Sequence, residues 1–146
     1  MRHIFTLVCC FSLVTALQGQ KVDPPAYYIF SIYFGGGSDF IDEQQVQDLY
    51  QWLDGIPDVE THSISIHSHT DNIGSVEYNQ WLSRRRSEAA MQKLINKGLP
   101  PEIMTISDFG KLNPIYDNST WEGRLRNRRV DIIIKKTGVG WGGGAG

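Results

Sequence analysis

The chain has 146 residues, with 14 lysines and arginines against 16 aspartates and glutamates, giving a net charge of −2. This length suits one domain with a single core, and 40% hydrophobic and 21% charged residues are ordinary globular values. Without a basic excess, the composition argues against a nucleic-acid-binding protein.

Residues 1–19 are predicted to form a cleaved signal peptide. Arg2 and His3 make a polar start, and residues 4–17 are apolar and uncharged, shorter than the roughly 20 residues of a membrane-spanning helix. Cleavage near Gly19 would leave an exported chain with no membrane span.

Both cysteines, Cys9 and Cys10, fall inside this segment. The mature chain would then contain no disulfide and no reactive thiol. Lipid attachment at one of them is a second hypothesis, but the preceding Leu7 and Val8 are larger than the residues usual before such a site.

Residues 20–26, which include Pro24 and Pro25, are predicted to be a loose lead-in. After it, hydrophobic periodicity predicts four strands and three helices. The predicted strands cover residues 27–34, 61–70, 103–109 and 130–134. The predicted helices are one between Asp42 and Gly55, one over residues 75–97, and a short one opened by a capping box at Ser119 to Glu122.

This element order predicts an α+β fold over residues 27–136, a two-layer α/β sandwich of βαβαβ(α)β order. The helices would pack on one face of a small mixed sheet. Residues 137–146 are mostly glycine, and this composition predicts a disordered tail.

Two histidines and an aspartate, His67, His69 and Asp71, have the H-x-H-x-D spacing that opens the metal site of some zinc hydrolases. Strand alternation puts both histidines on one side. The motif then requires a histidine where this chain has Asn72, and His62 is the only other one outside the signal segment. Histidines on a partly solvated sheet face are the favoured interpretation, and no metal site is predicted.

Other catalytic patterns are also missing from the sequence. There is no G-x-S-x-G elbow, and the turn at residues 35–38, Gly-Gly-Gly-Ser, lacks the lysine and the spacing of a phosphate-binding loop. The sequence therefore predicts no enzyme, no catalytic residue and no cofactor.

Three consecutive arginines, Arg84 to Arg86, lie in the predicted long helix. At about 100° per residue, Arg86 shares the buried face with Asn79 and Leu82. Arg84 would point to solvent and Arg85 to one side.

A partly buried guanidinium needs an anionic partner. One hypothesis is a salt bridge from Arg86 to Asp71 or to another carboxylate. The other is that Asp71 and Arg86 bracket a zwitterionic ligand, with the carboxylate taking an ammonium and the guanidinium a carboxylate.

Many spaced motifs resemble those of OmpA-like peptidoglycan-binding domains, the family of the OmpA C-terminal domain, Pal and MotB. The resemblance covers roughly residues 27–136. The matching motifs, in chain order, are His69 to Gly74, Tyr78-Asn79, Leu82-Ser83, Arg86, Phe109-Gly110-Lys111, Pro114, Asn118-Ser119-Thr120, Glu122-Gly123-Arg124 and Asn127 to Val130.

The resemblance implies a non-catalytic domain of the periplasm or cell envelope of a Gram-negative bacterium, which grips the diaminopimelate residue of the peptidoglycan stem peptide. Further envelope proteins are a second class of implied partner. The implied pocket contains Asp71 for the ammonium, Arg86 for the carboxylate, Asn79 for a hydrogen bond, and Arg128, Thr70 and Leu82 around them. The turn at residues 35–38 would lie near the rim.

The sequence departs from the family pattern beside this site. Ser68 stands where the family usually has glycine, and its side chain is expected to crowd the strand end; Ser87 replaces an alanine. An alternative function is a structural or adaptor protein whose pocket is empty and whose glycine-rich tail contacts a partner.

Overall fold

The computed structural model describes residues 26–137. The predicted signal peptide, nearly all of the lead-in and the tail beyond residue 137 lie outside them. The strands are β1 (Tyr27–Tyr33), β2 (Ser63–His69), β3 (Met104–Gly110) and β4 (Arg129–Lys135). The helices are α1 (Glu43–Asp54), α2 (Val76–Asn96) and α3 (Trp121–Asn127). The α+β prediction is confirmed.

The strands form one mixed sheet in the order β1-β4-β2-β3. Strand β4 lies in the interior, antiparallel to both β1 and β2, whereas β2 and β3 are parallel. A parallel pair requires a crossover, and α2 provides it. The last strand of the fold is therefore inserted between the first two.

One face of the sheet carries the core. Val130, Ile132 and Ile134 of β4 are fully buried, as strand alternation requires. They pack in a cluster with Leu49 of α1 and Leu94 of α2, so both long helices cover this face. Among the described helices, none has the length and apolarity needed to cross a bilayer.

Side-chain caps set the helix starts. The Asp42 carboxylate accepts from Gln45 N at 2.9 Å and begins α1 as predicted. Ser75 Oγ accepts from Tyr78 N at 3.0 Å and begins α2 at the predicted place. These two caps position the loops that precede each helix.

The predicted cap of α3 is wrong by one residue. Thr120, not Ser119, accepts from Gly123 N, at 3.0 Å. The Ser119 hydroxyl instead donates to Asp117 Oδ2 at 2.7 Å, within the turn before the helix. A Cβ at Gly123 would lie 1.8 Å from the carbonyl oxygen of Asp117, so this close turn requires glycine.

Candidate functional site

A cavity of about 150 Å³ opens beside the end of β2. All six residues of the predicted pocket line it: Thr70, Asp71, Asn79, Leu82, Arg86 and Arg128. Gly36 and Gly37, expected at the rim, line it too, together with Ile73 and Tyr78. The last two belong to the motifs that resemble the family, and their place in those motifs was the signal that would have found them.

Arg86 is fully buried at this cavity. Its Nε donates to the carbonyl oxygen of Ser38 at 2.8 Å, Nη2 to that of Gly35 at 2.9 Å, and Nη1 to that of His69 at 3.2 Å. Its Cζ lies 4.8 Å from the centre of the Phe34 ring. Three backbone dipoles and an aromatic face thus hold the cation.

The first of the two hypotheses for Arg86, a salt bridge to Asp71 or another carboxylate, is wrong. No carboxylate oxygen within residues 26–137 lies within 4.0 Å of the Arg86 nitrogens; the partners are carbonyl oxygens, which also stabilise a buried guanidinium. Burial lowers the pKa of Arg86 to about 10. The side chain is therefore still charged at neutral pH.

The other two arginines behave as the helical geometry predicts. The Arg84 side chain is 68% exposed. Arg85 turns sideways and binds Asp39, with Nη2 2.9 Å from Oδ2. Asp39 belongs to the same loop after β1 that supplies two of the carbonyl oxygens to Arg86, so two consecutive arginines fasten this loop to α2.

Asp71 pairs with Arg128 instead. Arg128 Nε lies 2.7 Å from Asp71 Oδ2, with both side chains under a tenth exposed. Asp71 Oδ1 accepts from Ile73 N at 3.0 Å. The Arg128 guanidinium also lies 5.4 Å from the centre of the Trp121 ring. The carboxylate is thus fixed by two donors, and each of its oxygens keeps a further lone pair for a ligand.

Asn79 is held in a single orientation. Its Nδ2 donates to the carbonyl oxygens of Ile73 at 2.8 Å and Ser75 at 2.9 Å. Both N–H bonds are therefore in use, and Oδ1 has no donor among the described residues. The Asn79 side chain can thus accept a hydrogen bond from a ligand in the cavity.

Thr70 and Leu82 are both buried. The Thr70 hydroxyl donates to the carbonyl oxygen of Asp71 at 3.1 Å, so its proton is already in use. Thr70 therefore contributes to the cavity as part of its wall, as Leu82 does. Two glycines bring the β1 loop close to this wall. A Cβ at Gly37, where φ is +67°, would lie 3.2 Å from the Tyr78 hydroxyl, and one at Gly36 would lie 3.6 Å from Arg128 Nη1.

The two histidines of the H-x-H-x-D pattern lie against Phe109. The His69 ring stacks on it with centroids 5.1 Å apart, and the His67 ring meets it edge-on at 5.4 Å. The expected partial exposure is wrong for His69, which is only 5% exposed. Its burial holds the pKa of the imidazole below the usual range.

Within residues 26–137 no three histidine, cysteine or acidic side chains are arranged to hold a metal ion. His69 has its Nε2 3.9 Å from Asp131 Oδ2, on the sheet face opposite the helices. The Asp71 carboxylate is occupied by Arg128. The metal-hydrolase hypothesis has no support in this geometry.

Ser68 lies in β2, paired with Asp108 of β3 and Val130 of β4, next to a register shift at His69. It is fully buried and does not line the cavity. Its hydroxyl has no hydrogen-bond partner among the described residues. Its direct effect is therefore on strand packing.

The three charged side chains of the cavity are two guanidinium groups and one carboxylate, Arg86, Arg128 and Asp71. The last two neutralise each other, and the charge of Arg86 faces only neutral oxygens. The cavity therefore combines a site for an anion with acceptors, on Asp71 and Asn79, that suit a cation beside it.

Comparison with known proteins identifies the family of this chain. The OmpA family profile matches residues 33–128. The chain is 43% identical to outer membrane protein A of Bordetella avium over 76 residues, 52% of this chain and 39% of that protein. It is 37% identical over 71 residues to the peptidoglycan-binding protein ArfA of Mycobacterium tuberculosis, 49% of this chain and 22% of that protein.

Among solved structures, the peptidoglycan-associated lipoprotein of Burkholderia pseudomallei superimposes with a TM-score of 0.62 at 29% identity. The match covers 72% of this chain and 89% of that one. The chain spans well under two thirds of the curated relatives named above. Since the family profile extends over more than half of the sequence, from the end of β1 to the end of α3, the chain belongs to the OmpA family.

Proposed function

We propose that this domain binds peptidoglycan non-covalently, by holding the diaminopimelate residue of the stem peptide in the cavity. The observation that carries the proposal is the convergence of Asp71, Arg86, Asn79 and Arg128 on one small cavity. Two relatives whose names refer to peptidoglycan, ArfA and the Burkholderia lipoprotein, support the same ligand class.

The free end of a diaminopimelate side chain carries an ammonium and a carboxylate on one carbon. Arg86 would bind the carboxylate through N–H groups that its three carbonyl partners leave unused. The ammonium would lie between the Asp71 carboxylate and Asn79 Oδ1, without displacing Arg128 from Asp71. Thr70 and Leu82 would limit the space around the methylene chain.

This binding involves no bond making or breaking, so the proposed function is not catalytic. The proposed function requires the protein to act in the cell envelope, to which the predicted signal peptide would export it. Its partner there is the peptidoglycan stem peptide. A stem peptide with lysine in the third position lacks the second carboxylate. It is expected to bind more weakly, because the charge of Arg86 would then have no counterpart.

The test is co-sedimentation of the purified protein with isolated sacculi, supported by titration with diaminopimelate. Arg86→Ala or Asp71→Ala should release the protein from diaminopimelate-containing sacculi, since losing one charge-assisted contact costs on the order of 1.5–3 kcal/mol, or tenfold and more in affinity. Glu88→Ala, at an exposed position on the same helix and away from the cavity and the Trp81 groove, is the matched control. Unchanged sedimentation of both pocket variants would refute the proposed site.

A further inference from the structure

Two aromatic side chains on α2 extend outward from the cavity and have no role in the proposed grip on diaminopimelate. Tyr78 lines the cavity and is 43% exposed, and Trp81, one helical turn further on, is 55% exposed. Their ring centroids lie 5.9 Å apart with the planes inclined by 33°. Together they form a continuous aromatic surface that begins at the cavity mouth.

Trp81 is held in place by a polar contact on one side. The Arg85 guanidinium lies 6.0 Å from the centre of its ring, and Asp39 fixes that guanidinium through contacts of 2.9 Å and 3.0 Å. An exposed aromatic ring that is already ordered loses little conformational entropy when a ligand covers it. The Trp81 ring is therefore already ordered in the free protein, and a ligand that covers it loses little affinity to the ordering of the ring.

A groove with a mostly apolar surface adjoins Trp81. It is lined by Glu77, Gln80 and Arg84, and the Gln80 amide is itself fixed by donating to the carbonyl oxygen of Asp108 at 2.7 Å. The groove thus extends the apolar surface of the Trp81 ring, and the side chains that line it end in a carboxylate, an amide and a guanidinium. Such a mixture suits a ligand with an apolar face and a polar edge.

A large protein partner fits this surface poorly. Covering both rings completely would bury at most about 500 Å², against about 800 Å² per partner in a stable interface. Glu77, which lies beside Trp81, is also of a residue type that is depleted from interface cores. The surface suits a small ring-shaped ligand better.

A hexose ring has these properties. The C–H groups of a pyranose face carry partial positive charge and pack on the negative face of an aromatic ring, while its hydroxyl and acetamido groups need donors and acceptors at the edge. We propose that Trp81, with Tyr78, is a binding platform for an N-acetylated sugar ring of the glycan strand. The proposal rests on the proposed function for its choice of sugar.

The spacing agrees with this assignment. Two residues separate the third residue of a stem peptide from the sugar, and two extended residues span roughly 7 Å. The Tyr78 ring borders the cavity, and the Trp81 ring centre is 5.9 Å beyond that of Tyr78. A ligand with its diaminopimelate in the cavity can therefore place its sugar over Trp81.

The experiment is calorimetric titration of the purified protein with two ligands. One is the free tetrapeptide containing meso-diaminopimelate, and the other is the same peptide on its N-acetylglucosaminyl-N-acetylmuramic acid disaccharide. The wild type should bind the disaccharide peptide roughly twofold to tenfold more tightly, the range expected for one stacked ring. Trp81→Ala should remove this preference and leave affinity for the free tetrapeptide unchanged.

Trp81→Tyr should keep most of the preference, because it retains an aromatic face. Tyr27→Ala, at a 54% exposed aromatic residue of β1, is the matched control and should change neither affinity. Equal affinities of the wild type for the two ligands would overturn the platform. An equal loss of both affinities in Trp81→Ala would overturn it too, because Trp81 would then act by orienting the cavity.

If the wild type binds neither peptide ligand, the proposed function is refuted, and the platform is tested by a separate experiment. Binding of glycan chains without their peptides then provides a separate test of the Trp81 and Tyr78 platform. Retention of these chains by the wild type and their loss in Trp81→Ala would uphold it. No retention by the wild type would overturn it.

Discussion

Two buried arginines lie on opposite sides of the sheet and are stabilised in different ways. Arg129, on the face opposite α1 and α2, has its Nε 3.1 Å and 3.0 Å from the two carboxylate oxygens of Asp131, and Asp131 also accepts from Ser31 Oγ at 2.7 Å. Arg86, on the helical side, is held by three carbonyl oxygens and the Phe34 ring, and has no carboxylate within 4.0 Å among the described residues. One cation is neutralised within the protein, and the other is not.

This difference separates a structural cation from a binding cation. Carbonyl dipoles repay much of the cost of burying a guanidinium, but they do not cancel its charge. The attraction of Arg86 for an external carboxylate is therefore retained in a site of low dielectric constant. The charge of Arg129 is neutralised by Asp131. This arginine therefore stabilises the fold and does not attract an external carboxylate.

The largest expected effect is that of Arg86→Ala on stability. The substitution leaves three carbonyl oxygens without a donor, and at about 1 kcal/mol or more for each the free energy of unfolding should fall by about 3–5 kcal/mol. Urea denaturation measures it, with Glu88→Ala, at an exposed position of α2, as a control expected within about 0.5 kcal/mol of wild type. A similarly small change for Arg86→Ala would mean that the carbonyl contacts do not stabilise the β1 loop.

Arg129→Ala should be destabilising without affecting binding. It leaves Asp131 without its cation, but that side chain is 17% exposed and water can compensate in part, so about 2 kcal/mol is expected. Sedimentation with sacculi at a temperature where the variant is folded should equal that of the wild type. A tenfold loss of binding would show that the two cations are not functionally separate.

His69 should make stability depend on pH. Burial lowers the pKa of this imidazole in the folded state below its ordinary 6.5, so between this lowered pKa and pH 6.5 the unfolded chain binds a proton that the folded one does not. The free energy of unfolding should therefore fall as the pH decreases through this range, with a slope from this residue of at most about 1.4 kcal/mol per pH unit.

Denaturation curves at several pH values test this. His69→Gln should flatten the dependence. An identical slope in wild type and His69→Gln would assign the proton uptake to other groups.

The smallest expected effect is that of Ser68→Ala. The Ser68 hydroxyl is buried without a partner in the described part of the chain, and removing an unsatisfied hydroxyl should raise the free energy of unfolding by about 1 kcal/mol. Binding to sacculi should not change, because Ser68 does not line the cavity. A drop in stability would contradict the view that this hydroxyl is unsatisfied.

Local patterns predicted much of the architecture. The 3.6-residue periodicity of α2 selected Arg86 from three adjacent arginines, and the caps at Asp42 and Ser75 were visible as single side chains before apolar runs. The cap of α3 was missed because Ser119, with Glu122 three residues later, fits the capping-box pattern, whereas Thr120 is followed at that distance by Gly123. Only the turn geometry, in which Asp117 takes the Ser119 hydroxyl, selects the second.

The partners of the charged residues were not predictable in the same way. Asp71 and Arg128 are 57 positions apart, and Arg86 and Gly35 are 51 apart. Every residue has a carbonyl group, so no sequence pattern marks Gly35, Ser38 and His69 as acceptors. The buried state of His69 likewise depends on Phe109 of a neighbouring strand.

The sequence by itself therefore determined the elements of this domain and the side chains that carry its charges, since these follow from contacts within one or two helical turns or along a single strand. The tertiary structure decided which charges are neutralised. Insertion of β4 between β1 and β2 brings Arg128 to Asp71, and the β1 loop then surrounds Arg86 with carbonyl groups. The charge of Arg86 is left for a ligand because long-range packing, and not local spacing, assigned Asp71 to the other arginine.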